Sequence, residues 1–187
     1  MTGTVTGQTT LITYAFFHVG ARAALTTAEE IEEGRNYHLL NALVLTSFLA
    51  EAYFNDLGEK VGYPDWNSGA DKKTSIWTKY KLLREKVGLP TSTIEAAYPG
   101  VRHAIDFRNT MAHGRTETYN FSTKADTDVF LDQQRIPVGW QTSLCPVNVR
   151  TCFDDCRAMI YELHKAANLG NHPFSKMASS MLRYTAD

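Results

Sequence analysis

Apolar residues recur along this chain with the period of a helix in four stretches. From Arg35 to Lys60 they include Leu39, Leu40, Leu43, Val44, Phe48, Leu49, Ala52, Tyr53, Phe54 and Leu57. Together they cover most of a helical circumference, the pattern of a helix packed centrally between others. In 72–87, Ile76, Tyr80, Leu83 and Val87 form one stripe with Leu82 beside it. In 100–113 the stripe is Val101, Ala104, Ile105, Met111 and Ala112. Pro99-Gly100 opens that helix and Gly114, suited to the left-handed C′ position, closes it. In 148–169, Cys152, Phe153, Cys156, Met159, Ile160, Leu163 and Ala167 share a face, with Gly170 as the stop and Pro173 confirming it. The pattern predicts an all-α domain in which these four helices pack together.

The stretches between them are less periodic. Residues 1–10, MTGTVTGQTT, are Thr- and Gly-rich and are read as a flexible N-terminus. Residues 11–33 read as one or two helices, with Gly20 a candidate break, Gly34 a stop, and Glu29, Glu30, Glu32 and Glu33 a solvated face. Residues 62–71 form a loop of turn formers. Residues 116–148 alternate short apolar groups with turns, which predicts an irregular or short β-hairpin insertion before the last long helix. Residues 174–187 read as a short helix through Met177, Met181 and Leu182. No internal repeat is visible, so residues 1–187 are read as a single domain.

Composition narrows the function classes. A chain of 187 residues can bury about 70% of its unfolded surface in one core. With 43% hydrophobic and 21% charged residues it has the make-up of a soluble globular protein. The formal net charge of −1 gives no global field for nucleic acid, so any polyanion site has to be local. Three cysteines, an odd number, point to a reducing compartment. Cys152, Cys156 and His164 fall on similar helical faces, but further ligands are lacking. They are read as ordinary buried thiols, with no metal and no cofactor. No stretch reaches membrane-span length and the N-terminus lacks a signal-peptide pattern, so a cytoplasmic protein without membrane association is expected.

The candidate chemistry centres on the 100–113 helix. Arg108 falls inside its apolar stripe, where an arginine is costly unless a partner or ligand compensates its lost hydration. Asn109 follows it, and His113 stands one turn beyond Asn109. In the 35–60 helix, Ser47, Glu51 and Asn55 are spaced four apart and stack on one side. Either Glu51 faces Arg108, in the core or across a subunit boundary, or the three line a wet edge. In 72–87, Lys72, Lys73, Lys79, Lys81, Arg84 and Lys86 are opposed only by Glu85, with Trp77 and Tyr80 interleaved. Such a face grips a phosphate backbone and stacks a base, or else is the solvated side of an amphipathic helix.

Arg108-Asn109, three residues, then His113, closing a helix late in a small helical chain, resembles the signature of the HEPN (higher eukaryotes and prokaryotes nucleotide-binding) family. LTSFLAEAYFNDLGEK at 45–60 is similar to that family's earlier core helix, and the resemblance spans about 35–170. It implies a HEPN-like helical bundle and a homodimer in which two copies of the motif, on the 100–113 helix, face one cleft. It implies as activity a metal-independent endoribonuclease, acting as a toxin or in phage defence. His113 would take the proton of a ribose 2′-hydroxyl, Arg108 would stabilise the charge growing on phosphorus, and Asn109 would orient one or both. RNA is the expected substrate, assisted by Lys79, Lys81, Arg84, Trp77 and Tyr80, and an antitoxin or nucleotidyltransferase is a candidate partner. The other function class is a non-catalytic HEPN module that binds a nucleotide or docks a partner protein.

Overall fold

The structure is a computed structural model in which residues 3–63, 66, 74–114, 116, 118–120 and 139–186 are described. It is mostly helical, with one small two-stranded antiparallel sheet. The described elements are β1 (Gly3–Leu11), α1 (Thr13–Glu30), α2 (Arg35–Lys60), α3 (Ile76–Lys86), α4 (Ile94–Ala97), α5 (Pro99–Ala112), a 3-10 turn (Gly139–Ser143), α6 (Pro146–Ala166) and β2 (Ala178–Ala186).

α2 is the central helix that its wide apolar pattern predicts. Leu39, Leu43, Leu49, Ala50, Tyr53, Phe54 and Leu57 are all fully buried, and α1, α3, α5 and α6 pack around them. Burying a side chain of the Leu or Phe class contributes about 1.5–3 kcal/mol, so this helix anchors the core. The link 31–34 folds α1 back along α2, with Gly34 at φ 71 as the residue before α2. α1 runs unbroken through Gly20, the one-helix alternative of the two the sequence left open. A Cβ there would lie 3.1 Å from Leu45 Cδ1, so the glycine lets two helices approach closely.

α5 starts as the sequence predicts, with Pro99 in its first turn. The Gly100 N–H, one of the donors a helix leaves unmatched at its start, donates to Asp155 Oδ2 on α6 at 2.7 Å. A side chain at 100 would come within 2.8 Å of the Cys152 Cα, so the missing Cβ lets α5 rest on α6. At the other end the expectation for Gly114 fails. It is not left-handed, and the helix is capped by His113 itself, whose N–H donates to the Asn109 carbonyl at 3.2 Å. α6 likewise stops before the expected Gly170. Asn168 takes the left-handed position (φ 56), while its own N–H and that of Leu169 close on Lys165 and His164.

Two terminal expectations are overturned together. Residues 3–11 and 178–186, read as a flexible tail and part of a short helix, pair antiparallel from Gly3↔Ala186 to Leu11↔Ala178. Thr and Val are strong strand formers, and Thr9 and Ser180 share a side-chain hydrogen bond of 3.0 Å across the pair. Val5, Leu11, Leu182 and Tyr184 share one face of this ribbon and are largely exposed, while Thr4, Thr6, Gln8, Thr10, Met181 and Arg183 occupy the other. The ribbon is tied to the helical body by the Ile12 N–H donating to the Met177 carbonyl at 2.8 Å. The hairpin expected in 116–148 falls largely on 121–138, outside the described residues. The part of that stretch that is described includes the 3-10 turn, whose Trp140 packs edge-on against Phe107 of α5.

Candidate functional site

The 100–113 stripe buries Val101, Ala104 and Ile105 as expected, and also Phe107, while Met111 is half-buried and Ala112 exposed. α5 rests between α2 and α6 on those residues and leaves its last turn open to solvent. Arg108 sits at the boundary, with 24% of its side chain exposed. Its Nη2 donates to Glu51 Oε2 on α2 at 2.9 Å, so the pair proposed from complementary need is present within one chain. The guanidinium also lies 5.6 Å from the centroid of the Phe48 ring, one turn before Glu51. Its Nε is buried without a hydrogen-bond partner among the described residues. Arg108 is therefore oriented by a carboxylate and an aromatic face while most of its donor fork is uncommitted.

Asn109 and His113 are exposed and stack one turn apart, joined through the backbone hydrogen bond at the helix end. Neither side chain makes a hydrogen bond or ion pair among the described residues. Positions 108 and 113 differ by about 140° around a helix at 100° per residue. One chain thus directs its arginine toward α2 and its histidine toward solvent.

The supporting residues divide. Only Glu51 of the three stacked on α2 reaches Arg108. Ser47 is fully buried and donates to the Val44 carbonyl at 2.7 Å, and Asn55 accepts from Lys79 Nζ at 2.8 Å.

The expected RNA-binding face of α3 requires correction. Lys79 and Arg84 are each 5% exposed and Tyr80 1%. Lys79 is held by Asn55 and lies 5.7 Å from the Trp66 ring centroid. Arg84 donates to Glu162 at 2.5 Å, to the Tyr80 hydroxyl at 3.1 Å and to the Pro90 carbonyl at 2.9 Å. These charges serve the fold. Lysine and arginine stems flanking an apolar stripe are drawn inward along it, and polar partners on other elements meet their heads. Of the set, Lys81 is exposed, and Trp77 is half-buried under the Arg102 guanidinium at 4.3 Å. Lys72 and Lys73 lie outside the described residues.

Cys152 and Cys156 are buried in α6, where burial pushes the Cys152 thiol up to about 12 and raises the Cys156 thiol as well. Among the described residues no group of three or more His, Cys, Asp or Glu is placed to hold a metal ion. No described helix is long and apolar enough to cross a membrane.

Sequence reasoning left His103 unassigned. With Asp106, Phe107, Thr110 and Trp140 it lines a cleft of about 340 Å³ on the flank of α5. Its helical spacing to Asp106 and Thr110 was visible, but the opposite wall comes from the 3-10 turn thirty-odd positions on. No family model matches this chain, and no curated protein or solved structure matches it.

Proposed function

We propose that this protein is a HEPN-like, metal-independent endoribonuclease that works as a homodimer through α5. The observation that carries this reading is Arg108, held by Glu51 and Phe48 yet left with an unmatched buried Nε, directly before Asn109 and on the helix that His113 closes, both of them exposed. An arginine so oriented can donate two parallel hydrogen bonds to a phosphate without first losing conformational freedom. The imidazole at the helix end is exposed, where it can act as the base toward a bound ribose hydroxyl.

The reaction is an in-line transesterification. His113 removes the 2′-hydroxyl proton, the 2′-oxygen bonds to phosphorus, and the bond from phosphorus to the 5′-oxygen breaks. The 5′-oxygen leaves as a hydroxyl after receiving a proton from a second group. Arg108 stabilises the additional charge on the phosphoryl oxygens and Asn109 orients the phosphate or the imidazole. Because one chain's Arg108 and His113 diverge around the helix, a second copy across a two-fold axis supplies the partner imidazole and the acid. A growth-arrest or phage-defence role, restrained by an antitoxin or nucleotidyltransferase in the cytoplasm, is the setting in which such an activity fits.

The second reading, a non-catalytic module that binds a nucleotide or a partner protein, draws on the same ion pair. A Glu51–Arg108 bridge between neighbouring helices is also what a structural contact looks like.

The deciding experiment incubates the purified chain with single-stranded RNA and a matched DNA in excess EDTA. Products ending in 2′,3′-cyclic phosphate, intact DNA, and loss of cleavage in His113→Ala are expected. Cleavage at the wild-type rate by His113→Ala, or its arrest by EDTA, favours the binding module. Light scattering should give about twice the 21.0 kDa chain mass, and an active monomer would remove the shared-site mechanism.

A further inference from the structure

Away from α5, two arginines and two histidines from three elements gather at the corner formed by α1, α6 and the segment that follows α6. A cavity of about 340 Å³ there is lined by His18, Arg22, Arg157, Tyr161, His172 and Ser175 among others, with no carboxylate in its wall. A volume of this order suits a small ligand.

Three observations separate this corner from ordinary solvated surface charge. His18 is only 7% exposed, its ring stacked on Phe174 at 3.8 Å and 7° and on Phe153 at 5.5 Å and 20°, and its Nε2 is buried with no hydrogen-bond partner. Arg157 also has a buried, unmatched Nε. Its Nη1 lies 3.6 Å from Asp154 and its guanidinium 5.7 Å from the Phe153 ring centroid. Arg22 is exposed and has no ion pair among the described residues. Burial, followed by the Arg157 and Arg22 charges, lowers the His18 pKa to about 4, so the imidazole is neutral at pH 7.

Buried nitrogens without partners are unfavourable and rare in folded proteins. An anion rich in acceptor oxygens satisfies both of them and faces two arginines, of which Arg157 has one carboxylate, Asp154, beside it. A carboxylate has too few oxygens for two arginines, an imidazole and two hydroxyls. A phosphodiester offers two free oxygens and one charge. A phosphate monoester carries three terminal oxygens and close to two charges at pH 7, which matches two guanidinium groups.

We infer that this corner binds a phosphate monoester, with Arg22 and Arg157 on its oxygens and His18 donating from Nε2 in the corresponding neutral tautomer. The Tyr161 and Ser175 hydroxyls and the His172 ring complete the donor set. The site is independent of the proposed chemistry at α5.

The test titrates the full chain with inorganic phosphate and, separately, with adenosine 5′-monophosphate, each against sodium chloride of matched ionic strength. Heat and the imidazole C–H resonances are followed. Saturable binding of at least one, with a dissociation constant below about 1 mM and movement of the His18 resonances, is expected. Arg22→Gln and Arg157→Gln should each weaken it about tenfold or more. Arg150→Gln, whose guanidinium is held by Glu29 two turns further along the same two helices, should leave it unchanged. Tighter binding of the nucleotide would identify a nucleoside-bearing ligand, and tighter binding of inorganic phosphate a smaller ester. No saturation by either compound, or saturation indifferent to both arginine substitutions, would overturn the assignment.

Discussion

Arg84 and Arg108 invite comparison. Each projects from a helix, is mostly shielded from solvent and bonds a glutamate on a neighbouring helix, Glu162 or Glu51. Arg84 donates to three acceptors and its side chain is 6% exposed. Arg108 donates to one, keeps a buried Nε unmatched, and its side chain is 24% exposed. An ion pair alone therefore does not separate a structural arginine from one available to a ligand. The number of donors already engaged does.

The sharpest way to break this comparison is to remove each arginine. Arg84→Ala should destabilise the protein by about 3 kcal/mol, since Tyr80 and the Pro90 carbonyl lose their donor and Glu162 keeps only the Tyr98 hydroxyl. Urea denaturation measures it, and a loss below about 1 kcal/mol would mean that Arg84 is not structural.

Another unmatched nitrogen, His18 Nε2, extends the comparison to an uncharged base. Its folded pKa of about 4 lies below the ordinary 6.5, so the unfolded chain binds the extra proton between those values. Stability is then complete above pH 6.5 and falls as the pH drops toward 4, by an amount on the order of 2 kcal/mol. His164, lowered by burial and by Lys60, acts in the same direction. A midpoint in urea that is flat between pH 7 and 4.5 would contradict this.

Arg108→Ala should cost about 1 kcal/mol, because Glu51 is 39% exposed and water can replace the lost donor. RNA cleavage should nevertheless disappear. A double-mutant cycle on Arg108 and Glu51 should give a smaller coupling energy than one on Arg84 and Glu162, and the reverse order would remove the distinction between them. His113→Ala should be the mildest, within about 0.5 kcal/mol of the parent in a melting curve, since its side chain is exposed and makes no bond among the described residues.

What the sequence made legible follows the range of each interaction. Helical periodicity is local, so α2, α5 and α6 could be placed within a few residues. The Glu51–Arg108 contact was legible as one of two alternatives, because each is a charge on an apolar stripe of its helix and opposite needs point to one another. The fate of Lys79 and Arg84 was not, because their acceptors sit on other elements and the lysine-rich run has the look of an outer face. His18, Arg22, Arg157 and His172 share no spacing at all. Only folding brings α1 to α6, so no motif could announce them. The ribbon was hidden for a related reason. Each strand alone is a short polar segment with some β-branched residues, and its partner is more than 160 positions away.

That separation also dictates an order of events. Contacts between neighbouring helices such as α1 and α2 close short loops and form early, whereas joining residues 3–11 to 178–186 from an open chain would cost about 4–5 kcal/mol in closure entropy. The ribbon can zip cheaply only after the helical body has brought Ile12 and Met177 together, and their hydrogen bond then fixes its register. During synthesis β1 is made well before its partner β2, so it emerges as an unpaired strand. In the finished protein its amides should exchange with deuterium well before those of α2.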